Sequence, residues 1–239
     1  MPVDPGVVVL DPGRVDAAIE RHRRHARVVR GILEEHSRPR PRRAVVIGAG
    51  DGLEAAAIAE AFGTDTVAID LHAAFDRAAL LRVACVRADA ARLPLRSRSV
   101  DLVYSFHALE HVPRWREALA EMRRVLAPGG SAFVGVPNKR RIFAYVCNRS
   151  VRLFDAIAWN VKDWMARARG RFENELGAHA GFTEEDLRAA LAERFGDVRS
   201  VRSRYFARKY PGKARILEAI EDGGLADRIY PSNYFLCLE

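Results

Sequence analysis

Three glycines at alternate positions follow the first buried strand that the sequence predicts. The apolar run at 44–48 leads into the segment GAGDG at 48–52, and a helical stretch begins at Leu53. Glycine allows positive φ and lets the backbone approach a ligand held near a helix N-terminus. The dinucleotide fingerprint G-x-G-x-x-G needs its third glycine at the position of Leu53, so this spacing argues against NAD as the ligand.

Two carboxylates follow the next two predicted strands. Asp70 ends the run at 66–70, and Asp89 follows the run at 82–88. In the first position a carboxylate can accept hydrogen bonds from both hydroxyls of a ribose, and in the second it can accept one from an adenine amine. Each acid alone could be a helix cap or a solvated side chain. Together they disfavour a phosphate-rich ligand and suit a cationic nucleoside.

These residues need a scaffold that brings several strand ends together. Apolar runs alternate with helical stretches such as 53–62 and 114–127: AVVIG (44–48), TVAID (66–70), RVACVRA (82–88), VDLVYSF (100–106) and SAFVGVP (131–137). Such runs, with little period-two alternation, indicate parallel strands covered on both faces. The sequence therefore predicts a doubly wound α/β fold that binds its ligand at the carboxyl ends of the strands. Runs at 197–206 and 233–238 complete the sheet, and the last strand is predicted to be antiparallel.

The net charge of +8 is concentrated in two segments outside this pattern. Residues 1–43 carry 10 basic and 6 acidic side chains, and we interpret them as an amphipathic helix from Val15 to Leu33 followed by a proline-rich linker. Residues 139–172 carry 9 basic and 2 acidic side chains and are predicted to be helical. They belong to an insert, 139–182, within a domain that spans 44–239.

The insert combines its charge with a continuous apolar face. The apolar side chains at helical spacing are Phe143, Val146, Phe154, Ile157, Val161, Trp164, Met165 and Ala168. One interpretation is a lid helix with a solvated basic face. A second is an interfacial element that lies on anionic lipid or captures an amphiphilic ligand. A nucleic-acid-binding segment is the third interpretation, and it is disfavoured because the aromatic residues are not interleaved with the basic ones.

Other features exclude several classes of protein. Cys85, Cys147 and Cys237 are far apart and form no CxxC pair, so they predict neither a metal site nor a disulfide framework. No apolar run approaches the roughly 20 residues of a membrane-spanning helix, and the start of the sequence lacks a signal-peptide pattern, so we expect a cytoplasmic protein. The sequence leaves the oligomeric state open.

Four stretches in this order resemble a known family. They are VVIGAGDG, AIDL, RADAARLPLRSRSVDLVYSFHALEHVP and EMRRVLAPGGSAFVGVPN. Through them, residues 44–138 resemble the core of class I S-adenosylmethionine-dependent methyltransferases, especially the type 11-like group similar to ubiquinone-biosynthesis and small-molecule methyltransferases. The resemblance implies a Rossmann-like sheet of seven strands, S-adenosylmethionine as the cofactor, and a helical lid inserted after the fifth strand.

The resemblance also implies a set of cofactor-binding residues. They are Gly48, Ala49, Gly50, Asp70, Leu71, Asp89, Ala90, Ser105 and Phe106. In the family the glycines pack beside the methionine part, the acid after the second strand holds the ribose, and the residues at 71, 89 and 90 surround the adenine. One departure is Val46, because the family often has an acid two residues before the first glycine. Asp51 is the candidate replacement for that acid.

Histidines are the candidates for proton transfer and for the acceptor pocket. His107 and His111 bracket Glu110 after the fourth strand, and a neutral imidazole there could take a proton from an acceptor hydroxyl or amine. The alternative is that this segment only packs and caps. By resemblance, His107, His179 and Phe182 are expected to face the acceptor, although His179 and Phe182 could equally be structural.

The sequence thus predicts methyl transfer to a small or lipid-like metabolite, with peripheral contact with an anionic membrane as a further expectation. An RNA methyltransferase is the first rival. A pI near 9.8 favours it, but no appended RNA-binding module is recognisable, and Val136-Pro137-Asn138 is not an Asn-Pro-Pro-Tyr-type site. The second rival is a non-catalytic cofactor-binding protein, for which Val46 is the hint.

Overall fold

The computed structural model describes residues 7–8, 12–72, 74–143, 152–174 and 180–239. The strands are β1 (Val7–Val8), β2 (Arg43–Ile47), β3 (Asp65–Asp70), β4 (Phe75–Asp76), β5 (Ala84–Arg87), β6 (Val100–Phe106), β7 (Leu126–Pro137), β8 (Asp197–Ser200) and β9 (Ser232–Leu238). The helices are α1 (Pro12–Glu35), α2 (Leu53–Phe62), α3 (Arg77–Leu80), α4 (Trp115–Val125), α5 (Leu153–Ala168), α6 (Glu184–Ala192), α7 (Arg202–Lys209), α8 (Ala214–Asp222) and α9 (Ala226–Ile229).

Seven of the strands form one sheet in the order β5-β3-β2-β6-β7-β9-β8, while β1 and β4 pair separately. Neighbouring strands of the large sheet are parallel except at β9, which is antiparallel to both β7 and β8. The predicted doubly wound sheet with an antiparallel last strand is confirmed. The strand order reverses at β2, so the carboxyl end of β2 is the switch point where such sheets bind ligands.

Two hydrophobic cores flank the sheet. On one face Val46 and its neighbours pack with α1, α2 and α7, and on the other face Val45 packs with α4 and α6. Because consecutive residues from Ala44 to Ile47 enter different cores, all four of these positions are apolar. This explains why the run showed no alternation. The predicted N-terminal helix is confirmed as α1, which adds Ala26, Val29, Ile32 and Leu33 to the first core.

Two secondary-structure predictions were wrong in extent. The strand predicted at 197–206 ends at Ser200, and α7 follows. Its burial has the period of a helix, with Val201 and Tyr205 buried and Ser203 and Arg204 exposed between them.

The helix predicted across 139–172 is α5 alone among the described residues. Residues 139–143 are not helical, since the Asn138 side chain accepts a hydrogen bond from Arg140 N (2.9 Å) in an Asx turn. Residues 144–151, which include Val146 and Cys147, lie outside the described residues. No helix in the described ranges is long and apolar enough to cross a bilayer.

Candidate active site

The glycine loop at the end of β2 has the geometry that only glycine supplies. Gly48 has φ +73°, and a Cβ there would lie 2.1 Å from the Cβ of Ala108, which follows β6. Gly50 has φ +54° and is exposed, with no atom within 4 Å of the place a Cβ would take. The backbone at Gly50 is therefore open to close approach by a ligand, beside the N-terminus of α2. Ala49 between them is buried.

The side chain of Asp70, at the end of β3, connects the glycine loop with the loop that follows β3. Its Oδ2 accepts a hydrogen bond from Gly50 N (3.0 Å) and its Oδ1 accepts one from His72 N (2.9 Å). Each carboxylate oxygen has two lone pairs, so both keep capacity for a ligand hydroxyl. Leu71, next along the loop, exposes 49% of its surface and offers an apolar side for a flat ring.

Asp89, after β5, is held by two donors. Ala91 N donates to Oδ1 (2.8 Å), and the Arg114 guanidinium donates to Oδ2 (2.6 Å). The backbone bond from Ala91 and, with it, Arg114 hold the pKa of this carboxyl below its usual range. The strand ends meet here as predicted, since Ala88 N donates to Asp70 O (3.0 Å). Ala90 is half-buried.

The acid expected before the glycines has no direct equivalent. Val46 is buried in register between Ala68 of β3 and Tyr104 of β6. Asp51 lies one residue before the N-cap Gly52 of α2, and its Oδ1 accepts a hydrogen bond from Leu53 N (3.0 Å). Its place at the tip of the glycine loop keeps it the candidate for the missing acid.

At the end of β6 the chain leaves the sheet in a strained turn. Ser105 is fully buried, and its hydroxyl has no hydrogen-bond partner among the described residues. The half-buried Phe106 ring packs against two imidazoles. Its centroid lies 4.6 Å from that of His107 and 5.1 Å from that of His25 on α1. His107 has φ +52°, which is uncommon for a residue with a side chain and is a feature of functional sites.

A buried carboxyl between two histidines forms an acid–base cluster beside this turn. Glu110 Oε1 lies 3.7 Å from His107 Nδ1 and 3.9 Å from His111 Nε2, and its Oε2 has no hydrogen-bond partner in the described part of the chain. Burial raises the pKa of Glu110 to about 7, although the charge of Arg141 acts in the opposite direction. Its protonation state therefore changes near neutral pH.

The two histidines differ in what else they reach. His107 is 35% exposed in its side chain, and its Nε2 lies 3.1 Å from Ser232 Oγ at the start of β9. The His111 side chain is 52% exposed. His107 is therefore the better placed of the two to exchange a proton with a bound acceptor while remaining oriented by its neighbours.

The remaining acceptor-site predictions have different outcomes. His179 lies outside the described residues. Phe182 is buried against Trp115, with the ring centroids 5.0 Å apart, and its carbonyl accepts a hydrogen bond from Asn233. This contact is sufficient to explain Phe182 as a core residue, and its place in the acceptor pocket stays a prediction.

Sequence reasoning missed three residues of this region: Arg114, Arg141 and Ser232. Each reaches the site from a different element, and none belongs to a motif with recognisable spacing. Arg114 lies 25 residues from the carboxylate it binds, and Ser232 lies 125 residues from His107. Only the tertiary fold brings them together.

A family model matches the part of the chain that contains these strand ends, and curated relatives match part of the chain as well. The family model described as "Methyltransferase domain" matches residues 45–134. An uncharacterized methyltransferase of Mycobacterium avium is 40% identical over 90 residues, which is 36% of this chain and 36% of that protein. Tocopherol O-methyltransferase of Arabidopsis thaliana is 29% identical over 140 residues, which is 55% of this chain and 40% of that one. The chain thus spans less than half the length of either curated relative.

A solved structure extends the likeness to the whole fold. The SAM-dependent methyltransferase of Thermotoga maritima, described as a possible histamine N-methyltransferase, superimposes with a TM-score of 0.52. The alignment covers 92% of this chain and 91% of that one at 15% identity. At this identity the likeness shows the fold alone.

Proposed function

Because this chain belongs, through residues 45–134, to the class I S-adenosylmethionine-dependent methyltransferase family, we propose that the protein transfers the methyl group of S-adenosylmethionine to an amphiphilic acceptor. The observation that carries the proposal is the position of Asp70. Its carboxylate connects the glycine loop with the end of β3 at the switch point of the sheet and keeps lone pairs for a ribose.

The residues present fit this cofactor. Gly50 is open to close approach, Leu71 offers an apolar face to an adenine, and the buried Ser105 hydroxyl has a hydrogen bond still to make. Arg114 occupies one oxygen of Asp89, but its side chain is 56% exposed and can turn to solvent when an adenine amine binds. S-adenosylmethionine supplies an already activated methyl group on a sulfonium.

The chain's own residues then have two tasks. The loop and carboxylates hold the cofactor so that its methyl carbon faces the acceptor's nucleophile in line, and such positioning is a large part of this kind of catalysis. His107 takes the proton that the acceptor loses, and the ionised Glu110 carboxylate stabilises the resulting imidazolium across 3.7 Å.

Calorimetry on the purified chain tests the cofactor assignment. We expect micromolar binding of S-adenosylhomocysteine and S-adenosylmethionine, and no measurable binding of NADH, because Leu53 replaces the third glycine of a dinucleotide site. Incubation with radiolabelled S-adenosylmethionine and fractionated extract then identifies acceptor fractions. Tight NADH binding, or no heat with either nucleoside, would overturn the proposal.

The orientation of α5 supports an amphiphilic acceptor and a membrane partner. Its inward face presents Ala156 and Asn160, which are buried. Its outward face is the apolar stripe formed by Phe154, Ile157, Val161, Trp164 and Met165, all of them exposed. Phe154 alone exposes 83% of its surface. An exposed apolar patch of this kind marks an interaction surface.

The charges around α5 are complementary to an anionic surface. Lys139, Arg140 and Arg141 are ion-paired with Glu173, Glu185 and Asp163. Four exposed basic side chains have no ion pair within the described ranges: Arg152, Lys162, Arg169 and Arg171. On a helical projection Lys162 and Arg169 both lie along one edge of the apolar stripe. We therefore infer that the stripe and these cations lie on anionic lipid, from which the acceptor is taken.

Co-sedimentation with vesicles tests this inference. Replacing Lys162, Arg169 and Arg171 with Ser is expected to weaken binding to phosphatidylserine-containing vesicles on the order of a hundredfold, at about 1 kcal/mol for each cation. The matched control replaces Arg188, Arg194 and Arg215, three exposed arginines elsewhere, with Ser. An equal loss of vesicle affinity in both variants, or an affinity that does not change with salt concentration, would contradict a specific lipid-binding surface. Tight RNA binding in a filter assay without vesicle binding would favour the RNA-methyltransferase rival.

A further inference from the structure

Outside the site described above, three metal-ligating side chains converge between α1 and α2. His22 and His25 are three residues apart on α1, and Glu54 lies in the first turn of α2. One ligand atom of each lies within 4.8 Å of the other two, and His22 Nδ1 lies 3.5 Å from Glu54 Oε1. Two histidines on one helix face and a carboxylate from the facing helix form an N₂O ligand set.

Two ring nitrogens of this cluster need an explanation. The Nδ1 atoms of His22 and His25 are both buried, and neither has a hydrogen-bond partner among the described residues, whereas buried ring nitrogens are normally paired. A bound cation is one explanation and a buried water that donates to both rings is the other. The metal content of the protein distinguishes the two.

The surroundings prepare these groups to be ligands. The His25 ring is held between Phe106 and Tyr205, with ring centroids 5.1 Å and 6.4 Å apart. The Tyr104 hydroxyl donates a hydrogen bond to Glu54 Oε1 (2.9 Å), which orients the carboxylate as outer partners of metal ligands do.

We propose that His22, His25 and Glu54 bind one zinc ion that fastens α1 to α2. Two imidazoles and one carboxylate are ligands that zinc accepts at about 2.0–2.2 Å. Because the ligand atoms lie within 4.8 Å of one another, the side chains would close further around the ion. Three protein ligands leave a fourth position for water. The site stands independently of the methyl-transfer proposal.

Metal content and thermal stability test the site directly. After treatment with EDTA and dialysis, one equivalent of zinc is expected to bind. Zinc at a hundredfold excess over its Kd is expected to raise the Tm by roughly 5–10 °C. The variants H25Q and E54Q are expected to lose this shift. The matched control is H36Q, because both ring nitrogens of His36 are already occupied by Ile32 O and Arg204.

Cobalt substitution keeps the proposal falsifiable if a variant folds poorly. The d–d spectrum of Co²⁺ in the unaltered chain is expected to report tetrahedral nitrogen and oxygen ligands. A thiolate charge-transfer band would assign the metal to cysteine and overturn the proposal. Substoichiometric zinc, or an equal Tm shift in H25Q and in the unaltered chain, would overturn it as well. Because none of these measurements uses S-adenosylmethionine, their failure leaves the proposed function standing.

Discussion

Replacing Asp70 with Asn is expected to weaken the binding of S-adenosylhomocysteine on the order of ten- to a hundredfold, as charge-assisted bonds to a ribose become neutral ones. Asn keeps the size of the side chain but has one acceptor oxygen. Its NH₂ group would face either Gly50 N or His72 N, both of which now donate to Asp70. Titration calorimetry measures the loss.

The control for this prediction is Asp65→Asn, since Asp65 is exposed at the opposite end of the same strand. D65N is expected to bind the nucleoside as the unaltered chain does. Thermal unfolding of both variants separates a lost contact from a collapsed loop. Unchanged affinity in D70N would move the nucleoside to another part of the chain and would remove the main support for the proposed function.

Replacing His107 with Gln is expected to lower turnover by about a hundredfold while leaving nucleoside affinity within a factor of a few, because general-base catalysis contributes about 10²–10⁴-fold. Single-turnover rates with an acceptor fraction that supports the unaltered enzyme provide the measurement. H111Q is the paired variant, and the larger loss should occur in H107Q, since only His107 reaches both Glu110 and Ser232. The reverse order would assign the proton transfer to His111.

The pH dependence follows from Glu110. Below its pKa of about 7 the carboxyl is neutral and cannot stabilise an imidazolium, so turnover is expected to rise as the pH increases through 7. His107, His111 and Arg141 all face this carboxyl. The rise of turnover with pH therefore reports the titration of the coupled cluster and not of Glu110 alone. E110Q should lower the plateau above pH 7 and leave the rate at low pH unchanged. If turnover of E110Q still rises as the pH increases through 7, this role for Glu110 is contradicted.

Local patterns in the sequence were sufficient to predict that the glycine loop and Asp70 lie together at one edge of the sheet. The glycine spacing, the strand runs and Asp70 are encoded within about thirty consecutive residues, and the parallel sheet brings their ends to one edge. The contact from Gly50 to Asp70 confirms that placement. The roles of the individual cofactor residues stay predictions.

The acceptor end could not be predicted in the same way. Ser232 meets His107 only because β9 is inserted antiparallel beside β7, and no spacing rule relates residues so far apart. Likewise, the periodicity of α5 showed an apolar face but could not show which face is inward. Arg141 and Arg167 decide this, because Arg167 donates to the Lys139 and Arg141 carbonyls and Arg141 pairs with Asp163.

The inward face of α5 also sets how easily this helix comes away from the rest of the chain. Among the α5 side chains that the structure describes, only Ala156 and Asn160 are fully buried, whereas β2 and β6 are buried on both faces. Free energies of local opening follow such differences, and the amide hydrogens of α5 should exchange with solvent long before those of the central strands. We therefore expect α5 to open locally while the sheet edge that holds Gly50 and Asp70 remains intact.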